Sequence, residues 1–268
     1  MLPYCVHGFD FAKNFIDPED GYFDTSRFIL ENSHGFLPVP IIISEPAIDN
    51  GGGLGLVFFH ETEEELKRRK KLLAEVSKKF FPPSMSVIAG GGTSNGTRFV
   101  GGGHISHLRD DSIRSKTLGG YADVNISIYD IGRDILFDDG LPLNAEVLFL
   151  NQEIMFRLGS SSWWAGSSYT FLNLVNSFNE EEAKFAIKER EYKAKDAFFS
   201  AILRYESVAN RFAPEDGFDV TWKVSQSGNY FGGDFEYTQL SLLNRYYHNF
   251  TEKLILGLRW MVMEIEWF

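Results

Sequence analysis

The side chains with the widest chemical repertoire here are six histidines (His7, His34, His60, His104, His107, His248) and one cysteine, Cys5. A metal site needs several ligands converging on one point. His104 and His107 lie three apart in a stretch that alternates like a strand, so they face opposite sides and share no metal. One cysteine supplies neither an internal disulfide nor a thiolate zinc cluster. The serines of "LGSSSWWAG" (158–166) sit near glycines, but a nucleophile elbow needs Gly-x-Ser-x-Gly between a strand and a helix. Asp110-Asp111 and Asp138-Asp139 are adjacent carboxylates at expected turns. Loop solubility accounts for them, with weak calcium binding as the sharper alternative. Asn95-Gly-Thr and Asn249-Phe-Thr match the glycosylation pattern but fall on tight turns. No carboxylate pair stands out, and the sequence reads as non-enzymatic, with no cofactor, metal or small-molecule substrate identified.

The glycines pose a different question. Gly51, Gly52 and Gly53 follow "PIIISEPAIDN" and precede "LGLVFFH". A phosphate loop places a helix N-terminus behind its glycines, whereas this run leads into another strand. The triplet recurs at Gly90, Gly91, Gly92 and at Gly101, Gly102, Gly103. With Asn95-Gly96 as a two-residue hairpin turn, Gly90 is expected opposite Gly101. The triplets then mark a thin, bendable patch in the first three strands.

These positions are set by a chain that reads as sheet almost throughout. Phe218, Val220, Trp222 and Val224 alternate with Asp219, Thr221, Lys223 and Ser225. Similar alternation runs through 122–128, 197–206 and 254–260. In 143–158 the apolar parity switches, from Leu143, Ala145, Val147 and Phe149 to Ile154, Phe156 and Leu158, which predicts a bulge near Leu150. About ten strands are expected, nearly all joined by hairpins. Helical loop insertions are expected at 61–80 and 180–196, where Glu63, Glu64 and Glu65 precede Lys67, Arg68 and Arg69 by four residues. Residues 1–36 show no firm element and read as an N-terminal extension ahead of a barrel domain at 37–268.

Composition decides what surrounds this sheet. The formal charge is −11, which argues against a nucleic-acid partner. Hydrophobic residues make up 44%, yet none of the runs is long enough for a membrane helix. Runs such as 113–129 and 142–158 exceed the typical soluble strand and suit a tilted bilayer-spanning one. Charges repeated in mid-strand suit a watery lumen: a one-residue slip would put Lys223 into lipid at about 2–4 kcal/mol. The soluble alternative is a sandwich or lipocalin-like carrier. The expected class is all-β, an antiparallel transmembrane up-and-down barrel.

Two stretches carry a family resemblance. "LPVPIIISEPAIDNGGGLGLVFFH" resembles the first barrel strands of small members of the BamA/TamA family of outer-membrane proteins, the bacterial surface-antigen barrels. "LRYESVANRFAPEDGFDV" resembles that family's proline–glycine hairpin, matched by the turn motif Asn210, Phe212, Pro214 and Gly217, with Phe218 beside it. Glu206 and Val208 replace the aspartate and arginine of the motif's first half. The resemblance implies a barrel of about sixteen strands in the outer membrane of a Gram-negative bacterium. It also implies a role in outer-membrane protein assembly, translocation or envelope biogenesis, with outer-membrane lipid and client outer-membrane proteins as partners. A passive porin-like or structural barrel is the alternative. With neither room for periplasmic repeat domains nor the Val/Ile-Arg-Gly-Phe loop motif, the chain is expected to be a truncated, incomplete barrel. In the family the proline–glycine hairpin is periplasmic; counting hairpins back from it places loop 61–80 in the periplasm, or outside the cell if the first three strands number one more or one fewer, and residues 1–36 read as a periplasmic leader. The terminal Phe268 shares its face with Glu264 and Glu266, so it reads as coincidence rather than as an assembly signal.

Overall fold

Eleven strands form one open antiparallel sheet in sequence order: β1 (Gly35–Glu45), β2 (Asp49–His60), β3 (Ser84–Thr93), β4 (Arg98–Leu108), β5 (Ile113–Ile128), β6 (Leu141–Arg157), β7 (Trp163–Phe178), β8 (Glu191–Glu206), β9 (Gly217–Ser227), β10 (Tyr237–Thr251) and β11 (Leu254–Trp267). This computed structural model describes residues 35–60, 67, 83–128, 141–178, 191–208, 216–251 and 254–267. Each strand pairs with its chain neighbours, as an up-and-down order requires. Among the described residues neither β1 nor β11 has a partner on its outer side. Connections alternate between two rims. We call upper the rim at which β1, β3, β5, β7 and β9 end, and lower the rim at which β2, β4, β6, β8 and β10 end.

The sheet curls strongly. Arg114 on β5 donates to Glu206 on β8 at 2.5 Å, although three strand spacings of about 4.8 Å separate them along the sheet. Only a concave face brings such side chains together.

On β8 and β9 the concave face is polar and the convex face apolar. On β8 and β9, Ser200, Glu206, Asp219 and Ser225 are buried on the concave side. Their sequence neighbours Phe199, Leu203, Phe218, Trp222 and Val224 are exposed on the other. A soluble half-buried sheet has the opposite arrangement.

Three expectations need correction. The Asn95-Gly96 turn has three residues, not two. Thr93 N–H donates to Thr97 at 3.0 Å, Gly96 takes a left-handed φ of 90°, and Gly90 therefore faces Val100, with Gly101 facing Ala89. Asn95 fixes this geometry by accepting from Thr93 Oγ1 and Thr97 N–H and by donating to the Asn125 carbonyl at 2.6 Å, so its amide is engaged in the turn. There is no bulge near Leu150: β6 keeps one register against both β5 and β7 from Leu143 to Phe156. The parity switch is real, and the apolar residues change face within an unbroken strand. Residues 191–196 belong to β8 and are not part of a helical loop. Their register with β7 is continuous, from Glu191 opposite Ser177 to Asp196 opposite Leu172. The remainder of 180–196, and all of 61–80 except Lys67, lie outside the described residues.

Candidate functional site

Three features of the sheet bear on function. The first is a charged cluster on the concave face at the lower rim. The turn from β4 to β5 holds Arg109, Asp110 and Asp111 in left-handed conformations, φ 53°, 53° and 59°. Such a run of non-glycine residues is strained, and the Asp111 carboxylate holds it. That carboxylate is solvent-inaccessible, accepts from Arg114 at two oxygens, from Arg157 at 2.7 Å, and contacts His107 Nδ1 at 2.8 Å. Burial pushes its pKa up, but the hydrogen bonds from Arg114 and His107 outweigh burial and hold it well below the usual carboxylate range. Trp164, 2% exposed, lies beneath both guanidiniums, 3.7 Å from Arg114 and 4.7 Å from Arg157. Arg204 extends the network to Asp219 at 2.5 Å, and Arg245 reaches Asp219 at 3.4 Å. Beside the cluster is a cavity of about 160 Å³ lined by His107, Arg114, Lys116, Glu153, Trp164 and Arg204 among others. The arrangement binds strand to strand across β4–β10; it sets no nucleophile beside a base.

The second feature is the glycine patch. Gly52 and Gly53 of β2 face Gly92 and Gly91 of β3. Gly101 and Gly102 of β4 face Gly120 and Gly119 of β5. The backbones here approach too closely for side chains: a Cβ on Gly91 would meet the Gly52 carbonyl oxygen at 2.5 Å and the Gly53 Cα at 2.8 Å. Gly51, Gly90 and Gly103 complete the triplets on the same four strands.

The third is a chain of polar side chains on the convex face. His60 Nε2 and His104 Nδ1 both contact Ser86 Oγ, at 2.8 and 2.9 Å. Thr117 donates to Gln152, which donates to Ser115 at 3.1 Å. His107, three residues from His104, points to the opposite face, as the alternation requires.

Of the turn motif, Gly217 begins β9 with φ 126°; Asn210, Phe212 and Pro214 lie outside the described residues. Among the described residues there is no group of three or more potential metal-ligating side chains. The charged cluster was not foreseen, because Asp111 looked like a soluble turn residue. The signal available was the spacing His107, Asp111, Arg114 around a tight turn, which returns all three to one face.

A curled antiparallel sheet with a charged, mutually paired concave face and a convex face rich in exposed apolar side chains is the wall of a membrane-type β-barrel. Residues 147–263, from within β6 to within β11, match the Omp85 superfamily domain. The match includes the second of the two stretches of BamA/TamA resemblance, residues 203–220, and bears the resemblance out. Among solved structures the chain is similar to BamA from Haemophilus ducreyi lacking POTRA domains 1–3, at 13% identity with a TM-score of 0.47. That match covers 87% of this chain and 41% of that one, so the chain spans about two fifths of its length. No curated protein matches the chain.

Proposed function

We propose that the chain forms part of a BamA/TamA-type barrel in a Gram-negative outer membrane and serves the insertion or translocation of other outer-membrane proteins. The lower rim then faces the periplasm, as does the connection 61–83 and the segment 1–36 that precedes the barrel domain at 37–268. Outer-membrane lipid covers the convex face, and client strands are the transient partners.

The observation that carries this reading is the side-chain-free patch across β2–β5. Cross-strand side-chain pairs stabilise a sheet by about 0.2–1 kcal/mol each, and the facing glycines supply none. The patch is the softest part of the wall, while the lower rim from the β4–β5 turn to β9 is cross-braced by the Asp111–Arg114–Glu206 and Arg204–Asp219 ion pairs. A wall stiff at one rim and pliant above it in β2–β5 suits a barrel that opens and lends an edge to a client. The action is mechanical and uses no catalytic group. A passive pore has no use for such asymmetry. A soluble carrier is opposed by the exposed apolar face.

The test is depletion of the protein in its host, followed by quantification of the other outer-membrane proteins. Assembly predicts their loss, and complementation by a Gly91→Ala, Gly102→Ala variant that reaches the membrane is expected to be partial. Unchanged levels on depletion would remove the assembly role and leave the passive barrel.

A further inference from the structure

The lower part of the concave face is positively charged, in a chain whose formal charge is −11. It runs from the cross-strand row Lys116, Glu153, Ser168, Ser200, Ser225 down to the lower rim. Its charges fall into three groups among the described residues. Arg114 and Arg157 are matched by Asp111 and Glu206, with direct ion pairs from Asp111 to both and from Glu206 to Arg114. Arg204 and Arg245 share one carboxylate, Asp219, at 2.5 and 3.4 Å. Glu206 also lies 4.0 Å from Arg204, which spreads this charge without changing the balance. Lys116 and Lys223 share Glu153, which Lys116 meets at 3.4 Å and whose field acts on Lys223. The second and third groups therefore each carry one cation more than they have carboxylates. Arg259, opposite Arg245 on β11, adds to the excess at the sheet edge. Cations withdrawn from water are costly without an opposite charge close by, and the Arg204 side chain is only 20% exposed.

The excess borders a hollow. The cavity of about 160 Å³ beside the cluster has Arg114, Lys116 and Arg204 in its lining, with Glu153 as its one carboxylate. At roughly 30 Å³ per water it has room for about five waters, enough for a small oxyanion.

Three donors at this place are not fully used. Lys116 Nζ reaches Glu153 only at 3.4 Å, long beside the roughly 2.7–2.9 Å of a charge-assisted hydrogen bond. Arg204 gives Nε and Nη2 to Asp219 and keeps Nη1. Ser168, the cross-strand neighbour of Glu153, is 2% exposed, and its hydroxyl makes no hydrogen bond. A buried hydroxyl left in that state is uncommon. Arg114, by contrast, is fully committed to Asp111 and Glu206 and held over Trp164, so it supplies fixed charge.

We infer that this cavity binds a phosphate group, with Lys116, Arg204 and Ser168 as its donors. A phosphate monoester carries about −1.5 to −2 charge at pH 7 and three acceptor oxygens, which meets both the charge left over and the three donors. A carboxylate would leave part of the excess uncompensated. Lys223 stays as the counter-charge of Glu153 when Lys116 turns to the ligand. Such a site depends on the concave face alone and not on a role in assembly.

The test is calorimetric titration of the folded protein in zwitterionic detergent with sodium phosphate at fixed ionic strength, with sodium acetate as the singly charged comparison. Saturable phosphate binding is expected, with acetate weaker by tenfold or more. Lys116→Gln is expected to weaken phosphate roughly 10–100-fold and Ser168→Ala about 2–10-fold. Lys195→Gln, on the opposite face, is expected to bind as the native protein does. Heat-modifiable gel mobility checks that each variant is folded, and Ser168→Ala reads the site if Lys116→Gln does not fold. Phosphatidic acid added to the micelles separates the sources: competition with phosphate assigns the group to a lipid headgroup, and no competition to a soluble phosphate. Absence of saturable phosphate binding, or undiminished binding in folded Lys116→Gln and Ser168→Ala, overturns the site. Equal affinity for acetate and phosphate overturns the assignment to a phosphate.

Discussion

Asp111 accepts from Arg114 and Arg157 and contacts His107 while its side chain shows no surface to solvent. Removing one partner of such a cluster leaves buried charge uncompensated, at about 3–5 kcal/mol. Asp111→Asn is therefore expected to lower the urea midpoint of the folded, heat-modifiable form by that order, and Ser112→Ala to leave it unchanged. The same carboxylate sets an acid limit. Its pKa is depressed in the fold, so its contribution is fully present above its unfolded value of about 3.9 and is lost as pH falls below that. Stability measured from pH 6 down to pH 2 is expected to fall below about pH 4 in the native protein, and less steeply in Asp111→Asn. Adjacent tryptophans separate the faces in the same way. Trp164 supports two guanidiniums at 2% exposure, whereas Trp163 is 37% exposed and packs on Trp222 and Tyr205. Trp164→Ala is expected to cost about 3–5 kcal/mol, and Trp163→Ala less, both read from denaturant midpoints in detergent. None of this cluster was legible in the sequence. A carboxylate in a turn looks solvated until the turn's left-handed residues are known to fold it back beneath the sheet.

At the scale of strands and turns, the glycine patch makes a prediction that distinguishes close approach from mere flexibility. An added Cβ at Gly91 meets backbone of β2 at 2.5–2.8 Å, while at Gly55 its nearest neighbours lie 3.5–3.8 Å away. Gly91→Ala is expected to destabilise the β2–β3 pair by about 1–3 kcal/mol through overpacking. Gly55→Ala is expected to stabilise by about 0.5–1 kcal/mol through reduced chain entropy. Refolding yield into detergent, followed by gel mobility, reads both. The strands themselves were legible, because alternation of side chains fixes their faces wherever one face is apolar. What alternation does not convey is which side a change of parity belongs to. A bulge and a change of solvent leave the same mark on Leu143–Leu158, and only the unbroken register with β5 and β7 separates them. The hairpin at Asn95 failed for a similar reason. Asn-Gly serves two-residue and three-residue turns alike, and the choice is made by Asn95 bonding to Thr93, Thr97 and Asn125. At 191–196, the alternation of Tyr192 and Ala194 with Lys193 and Lys195 was outweighed by the charged residues before them, and pairing with β7 decides for strand.

The whole molecule is organised by an exchange of inside and outside, and one substitution reads that exchange directly. Ile154 is 36% exposed on the convex face of β6, between Gln152 and Phe156. On a water-facing surface, replacing a partly exposed isoleucine with lysine usually changes stability within about 0.5 kcal/mol. Facing hydrocarbon near the midplane, the same change costs about 2–4 kcal/mol. The concave neighbour Glu153 already holds Lys116 at 3.4 Å, so charge on that side is accommodated. Glu146, on the convex face of the same strand but above the parity switch, supplies the internal comparison. Ile154→Lys is expected to lose about 2–4 kcal/mol in lipid vesicles and much less in a micelle, which deforms around the ammonium group. Glu146→Lys is expected to change little in either. Equal, small effects of both substitutions in vesicles would mean that water, not lipid, covers the convex face, and the apolar surface from β6 to β11 would then need a protein partner to hide it.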